Sequence, residues 1–203
     1  MRLIKAGLVV LILSLNLATP VVAGPREDAL AAYNRGDYPT AFRLISRLAE
    51  QGDPAVEAAL GVMYNSGLGV PQNYAEAAKW FHRAAERGSG SACSMLGIIY
   101  TNGYGVSRDD NAAMKWFLQA ANRGDAGGTG FLGIMYEYGR GVSIDYVQAY
   151  KWYSLAVAVP LPVSEIKMHT GFIEDRDSVA AKMTPGQIAE AKKLASEWKP
   201  NSQ

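Results

Sequence analysis

Ser164-Glu165-Ile166-Lys167 sets a hydroxyl three residues before an amine, the motif by which serine–lysine enzymes that act on penicillins present a nucleophile. That chemistry also needs a Ser-Asp-Asn and a Lys-Thr-Gly segment, and the chain contains neither. The competing reading makes Ser164 the start of a helix and leaves Lys167 in solvent. His82 sits where the equivalent positions 36 and 72 residues on are Leu118 and Ser154, and His169 has no second histidine at metal-ligand spacing. The single cysteine, Cys93, cannot form an internal disulfide. It reads as a small side chain on a helix, with pairing to another chain as the alternative. Glu174, Asp175 and Asp177 around Arg176 read as a solvated helix face. Gly67/Gly69, Gly103/Gly105 and Gly139/Gly141 invite a phosphate-cradle reading. A dinucleotide fingerprint, however, needs a third glycine and a strand before the turn. From these residues no catalytic group, metal ion or cofactor is expected.

What must position any site is a repeat. Gly61/Gly97/Gly133, Tyr64/Tyr100/Tyr136, Val70/Val106/Val142 and Trp80/Trp116/Trp152 are each 36 residues apart, as are the Gly-x-Gly segments. Each unit reads as two helices. The first carries Leu-Gly-x-x-Tyr, which puts Leu and Tyr on one face and leaves room at the glycine for a close neighbour. The second starts at Asn73, Asp109 or Asp145, all good N-caps, with Glu76 and Gln148 placed to complete capping boxes. Gly88 and Gly124 end the first two units. A shortened unit precedes them, with Tyr33 in the part of Tyr64 and Asp37 in the part of Asn73, so that its first helix begins near Arg26. The expected division is a short unit at 26–52, full units at 53–88, 89–124 and 125–160, a degenerate helical cap at 161–199 and a tail at 200–203. In the last cap helix Thr184 is the N-cap, Pro185 the first residue and Gln187 the capping-box partner.

The three Trp-aromatic pairs recur at the stacking period, which marks the tryptophans as buried core. Replacing such a Trp by Ala costs roughly 3–5 kcal/mol. "DAGGTGFLG", residues 125–133, puts Gly127, Gly128 and Gly130 at the start of the third unit's first helix. Interior glycines cost about 0.8–1 kcal/mol each relative to Ala, so this helix start is expected to be frayed or mobile. The alternatives are simple degeneracy and a hinge or close approach by a ligand.

The Gly-x-Gly-Val loop followed by a Trp-aromatic pair, over about residues 26 to 160, resembles the Sel1-like repeat family, a relative of the tetratricopeptide repeats. The resemblance implies an all-α, right-handed superhelical solenoid that serves as an adaptor or scaffold between proteins. Carried over from the tetratricopeptide fold, the first helix of each unit would line a concave groove. Its floor would hold Ala55, Ala58, Val62, Asn65 and Ser66, then Ser91, Ser94, Ile98, Thr101 and Asn102, then Gly127, Gly130, Ile134, Glu137 and Tyr138. That floor has no Lys or Arg, so an extended or helical peptide with small apolar side chains suits it. Tight helix packing is the alternative account of its small residues.

The chain begins with Arg2 and Lys5, an apolar run from Ala6 to Ala18 and small residues at Val21-Val22-Ala23. This reads as a secretory signal peptide cleaved after Ala23. The run is shorter than the roughly 20 residues of a membrane span, so no stable membrane insertion is expected after cleavage. Removing Arg2 and Lys5, with no acidic residue lost, moves the formal net charge from +1 to −1. Such a balance has no electrostatic footprint for nucleic acid. The sequence thus describes an exported protein, periplasmic or secreted, that binds a protein or peptide in its groove. The alternatives are an envelope enzyme acting on peptidoglycan or β-lactams, with Ser164 and Lys167 as its only support, and a structural spacer.

Overall fold

The computed structural model describes residues 24–160 and 166–200, and every regular element among them is an α-helix. The chain forms two compact units. The first runs through Ser89 and takes in Tyr104–Val106; the second holds Gly90–Gly103 and the residues from Ser107 on.

In the first unit α1 (Pro25–Asn34) and α2 (Tyr38–Ala49) form one hairpin, and α3 (Pro54–Ser66) and α4 (Tyr74–Glu86) form a second. In the second unit the helices are α5 (Gly90–Asn102), α6 (Asp110–Asn122), α7 (Ala126–Tyr138), α8 (Tyr146–Ala158), α9 (Ile166–Ala180) and α10 (Pro185–Glu197). Asp37, Asn73, Asp109, Asp145 and Thr184 each accept a hydrogen bond from an amide of the helix they open, so one otherwise orphaned donor is satisfied at each of these starts. Thr184 and Gln187 close the expected capping box. Asn73 and Asp145 cap in one direction only, and beside Asn73 the Glu76 carboxylate pairs with Lys79 instead.

Two physical requirements explain the repeated glycines. Gly67, Gly103 and Gly139 follow the first helices with φ between 66° and 70°, the left-handed region that a side chain would strain. In the next glycine of each loop, a Cβ would collide with the start of a second helix. It would lie 2.1 Å from the Tyr38 carbonyl oxygen at Gly69 and 3.0 Å from that of Asp110 at Gly141. The glycine of Leu-Gly-x-x-Tyr does a third job. A Cβ on Gly61 would meet the Phe81 ring at 2.8 Å, on Gly97 the Phe117 ring at 2.3 Å, and on Gly133 the Tyr153 ring at 2.6 Å. Each of these three hairpins is closed by an aromatic ring laid on a bare helix backbone.

This corrects the expectation for the tryptophans. The fully buried aromatic of each pair is the second one, Phe81, Phe117 or Tyr153, whereas Trp80 and Trp116 are half-buried and only Trp152 is buried. Neighbours on a helix point about 100° apart, so only one of the pair can face the hairpin interior. The outer ring of the pair takes cations: the Arg83 guanidinium lies 4.3 Å from the Trp80 ring centroid, and the Lys151 ammonium 4.3 Å from that of Trp152.

The glycine-rich start of α7 is also corrected. Helix α7 begins at Ala126, and Gly128 and Gly130 are buried. A Cβ on Gly128 would lie 2.3 Å from the Ala120 Cβ and 2.5 Å from the Ser94 Oγ; one on Gly130 would lie 2.2 Å from the Phe172 ring. These positions are tight packing seats, and both are filled by the protein itself.

Candidate protein-interaction face

The first helices α3, α5 and α7 carry the residues expected to line a groove, and the structure sorts them into three groups. Some are core: Val62 and Ala58 on α3 and Ser94 on α5 are buried, with the Ser94 hydroxyl bonded to the Asp125 carboxylate. Some satisfy their own helix. Thr101 donates to the Gly97 carbonyl at 2.9 Å, Asn102 to the Ile98 carbonyl at 2.8 Å, and the Asn65 carbonyl accepts from the Gln72 side chain at 2.7 Å. Asn65, Ser66, Ser91 and Ile98 are half-buried, and Ala55 is exposed.

The third group lies under the C-terminal helices. Ile134 packs against the cluster that contains Phe172, and Gly130 is covered by the Phe172 ring. Glu137 is buried and fully used. Its Oε2 accepts from the Tyr153 hydroxyl at 2.9 Å, and its Oε1 accepts from the Lys182 ammonium at 3.1 Å. Burial and then the bond to Glu137 push the Tyr153 phenol far above its ordinary range. Lys182 also stands over the Tyr146 ring, 5.1 Å from its centroid. Expecting Glu137 on an open groove floor is therefore wrong, because the chain's own cap supplies its partner.

Tyr138 is the large side chain of the expected set that is exposed, at 61%, and Ile144 in the following loop is 58% exposed. Sequence reasoning missed Ile144, although a signal existed. The equivalent loop positions are Gln72, which bonds to the Asn65 carbonyl and the Tyr74 hydroxyl, and Arg108, which pairs with Asp110. Only an apolar residue there has nothing to bond back to.

The residues singled out for chemistry lie apart. Ser164 falls outside the described residues, and Lys167 is exposed. Cys93 is fully buried beside the Arg123 guanidinium, and burial pushes its thiol up. His169 bonds through Nε2 to the Val157 carbonyl at 2.8 Å. Among the described residues no three His, Cys, Asp or Glu gather into a group that could hold a metal ion. None of the described helices is long and apolar enough to cross a membrane.

Comparison with known proteins gives this arrangement a family. The Sel1 repeat family model matches residues 30–53, 54–89, 90–125 and 131–158. A protective antigen of uropathogenic Escherichia coli that displays an SLR fold is similar over 85% of this chain, at 30% identity and a TM-score of 0.69. This chain spans 39% of that protein. A Sel1 repeat protein from Oxalobacter formigenes is similar over 87% of this chain and 71% of its own, at 25% identity and a TM-score of 0.66. No protein with a curated description matches. Sel1 repeat proteins are generally non-catalytic scaffolds for protein interaction. The four matched repeats coincide with the hairpins α1–α2, α3–α4, α5–α6 and α7–α8, and on that ground the chain belongs to the Sel1 repeat family.

Proposed function

We propose that this protein is an exported adaptor that binds a protein or peptide segment and performs no chemistry of its own. The observation that carries the reading is the pair Tyr138 and Ile144. Where the equivalent loop positions Gln72 and Arg108 bond back to the chain, Ile144 does not, and it and Tyr138 are left facing solvent at one end of α7 and its loop. Tyrosine is a frequent interface anchor, because it buries a large rigid area at little entropic cost and keeps a polar tip. Export and a periplasmic or secreted location rest on the basic residues Arg2 and Lys5, the apolar run to Ala18 and the small residues before Gly24.

The test is to cross-link the mature protein in its native cell envelope and identify what is captured, beside a Tyr138→Ala variant. Truncating an anchor costs about 2 kcal/mol or more, equivalent to roughly a 30-fold weaker complex. The adaptor reading expects a captured partner whose yield falls sharply in the variant. A partner retained in full moves the binding site off this face, and no captured partner at all removes the adaptor reading.

A further inference from the structure

Glu57 stands in the first turn of α3 and is fully buried, yet the repeat does not call for a charge there. The same position one and two periods on holds Cys93 and Thr129, and the position of its partner Arg83 holds Gln119 and Leu155. All three units nevertheless close the same ring-on-glycine hairpin. Uncharged residues in place of a buried ion pair are often neutral or stabilising, so closure does not account for Glu57. The geometry shows what it does. Its Oε1 accepts from Arg83 Nε at 3.1 Å and from Arg87 Nη1 at 3.0 Å, and its Oε2 accepts from Arg87 Nη1 at 3.3 Å. Two cations are thus held on one carboxylate at the end of α4. The Arg83 guanidinium also lies over the Trp80 ring, 4.3 Å from its centroid, and Arg87 lies against Gly52, where a Cβ would come within 3.4 Å of its Nε.

Both arginine side chains still reach solvent, at 37% and 44% exposure. Arg83 Nη1 and Nη2 and Arg87 Nε and Nη2 donate to no acidic oxygen among the described residues. The group therefore carries one surplus positive charge on donors that are ordered before any ligand arrives, and ordering such side chains is a principal cost of binding. We infer that Arg83 and Arg87 form a binding site for a carboxylate, presented by a segment of another protein, with Glu57 as the residue that positions them. A planar carboxylate matches the guanidinium fork. Its single charge matches the surplus, whereas a phosphate monoester at neutral pH brings about 1.5 to 2. The chain as a whole has a formal net charge of +1 and gives polyanions no general attraction. The site lies within the first unit and stands without the Tyr138 face.

The experiment follows the Nε–H resonances of Arg83 and Arg87 in the full chain while two monoanionic peptides are added. Acetyl-Gly-Gly-Glu-Gly-Gly-amide offers a side-chain carboxylate, and acetyl-Gly-Gly-Gly-Gly a terminal one. The glutamine analogue of the first is the neutral control. Both resonances should shift together and saturate with a carboxylate peptide and not with the control, and the tighter peptide names the source. Affinity should fall about tenfold or more in Arg83→Gln, which removes a charge-assisted hydrogen bond. It should also fall in Arg87→Lys, which keeps the charge and loses the fork. Gln119 shows that the repeat accepts the first substitution, and Arg43→Gln, at an exposed arginine of the same unit, controls for net charge. No saturable shift with either peptide overturns the site. So does undiminished affinity in either variant, an equal fall in Arg43→Gln, or tighter binding of inorganic phosphate. None of these results touches the capture experiment at Tyr138, so the two readings fail separately.

Discussion

Gly97 and Gly171 are both glycines inside helices, yet a methyl group on each has opposite consequences. Alanine gains about 0.8–1 kcal/mol of helix propensity over glycine. At Gly171 a Cβ meets nothing within 4 Å, so Gly171→Ala should stabilise the protein by about that much. At Gly97 the Cβ falls 2.3 Å from the Phe117 ring, deep in the hairpin. Overpacking costs about 1–3 kcal/mol, so Gly97→Ala should be net destabilising. Urea midpoints for the two variants, moving in opposite directions, check the pair. Glu57 is the second residue to test. It is fully buried on α3, with Oε1 accepting from Arg83 at 3.1 Å and from Arg87 at 3.0 Å. Glu57→Ala leaves two guanidinium groups without their anion, but both are more than a third exposed and can turn to water, so the loss should be that of charge-assisted hydrogen bonds, about 1.5–3 kcal/mol. A loss under about 1 kcal/mol would mean that water already serves the two arginines. The sequence disclosed the glycines and the aromatic pairs but not which ring is interior. A 36-residue period marks both members of a pair equally, and only the facing glycine selects Phe117 over Trp116.

Helix starts were the most legible elements, because a cap is chemistry among four consecutive residues. Asp109→Ala should cost about 1 kcal/mol through loss of the bond to the Ala112 amide, read as a lower melting temperature. At the start of α3 the cap has a pH dependence. Burial alone would raise the Asp53 carboxyl, but the Arg26 guanidinium and the amides of Ala55 and Val56 outweigh it and hold it below the usual carboxylate range. A folded-state value below the unfolded one adds stability above the unfolded value, about 3.9, and that stability is lost as pH falls through the folded value. Asp53→Asn keeps a capping acceptor and removes the charge, so its acid unfolding limb should be shallower than that of the unmodified protein. What the sequence did not disclose at this scale was the seat of α9. Phe172 stands one period after Tyr136 and Gly130 one period after Ser94, but nothing local to "DAGGTGFLG" announces that the glycine is there to seat the Phe172 ring.

For the molecule as a whole, the tyrosines set an alkaline limit. Burial raises the phenols of Tyr33 in the first unit and Tyr136 in the second, and Tyr153 is raised further by its bond to Glu137. A raised folded-state value contributes stability below the unfolded value, about 10, and that stability falls as pH climbs past it, because the unfolded chain then releases protons the folded one retains. Thermal melts should therefore drop steeply between about pH 9 and 11, and less steeply in Tyr153→Phe. The helical hairpins were readable from spacing, since a repeat states the same physical requirement several times, and the family from the resemblance of the Gly-x-Gly-Val loop and its Trp-aromatic pair. The binding surface was not. Val62, Glu137 and Gly130 share its helical face, but burial, an internal anion–cation pair and a seated ring withdraw each of them from it.

The ring-on-glycine closure carries a kinetic consequence. Gly61 meets Phe81, Gly97 meets Phe117 and Gly133 meets Tyr153, each across 20 residues of chain. The contact that completes a hairpin is therefore found by a short local search and waits for no distant strand or terminus. Chains dominated by such near-neighbour contacts cross their folding barrier early and fast. Each of these hairpins can serve as the nucleus, and a polypeptide delivered amino end first would offer segments able to fold in the order they emerge.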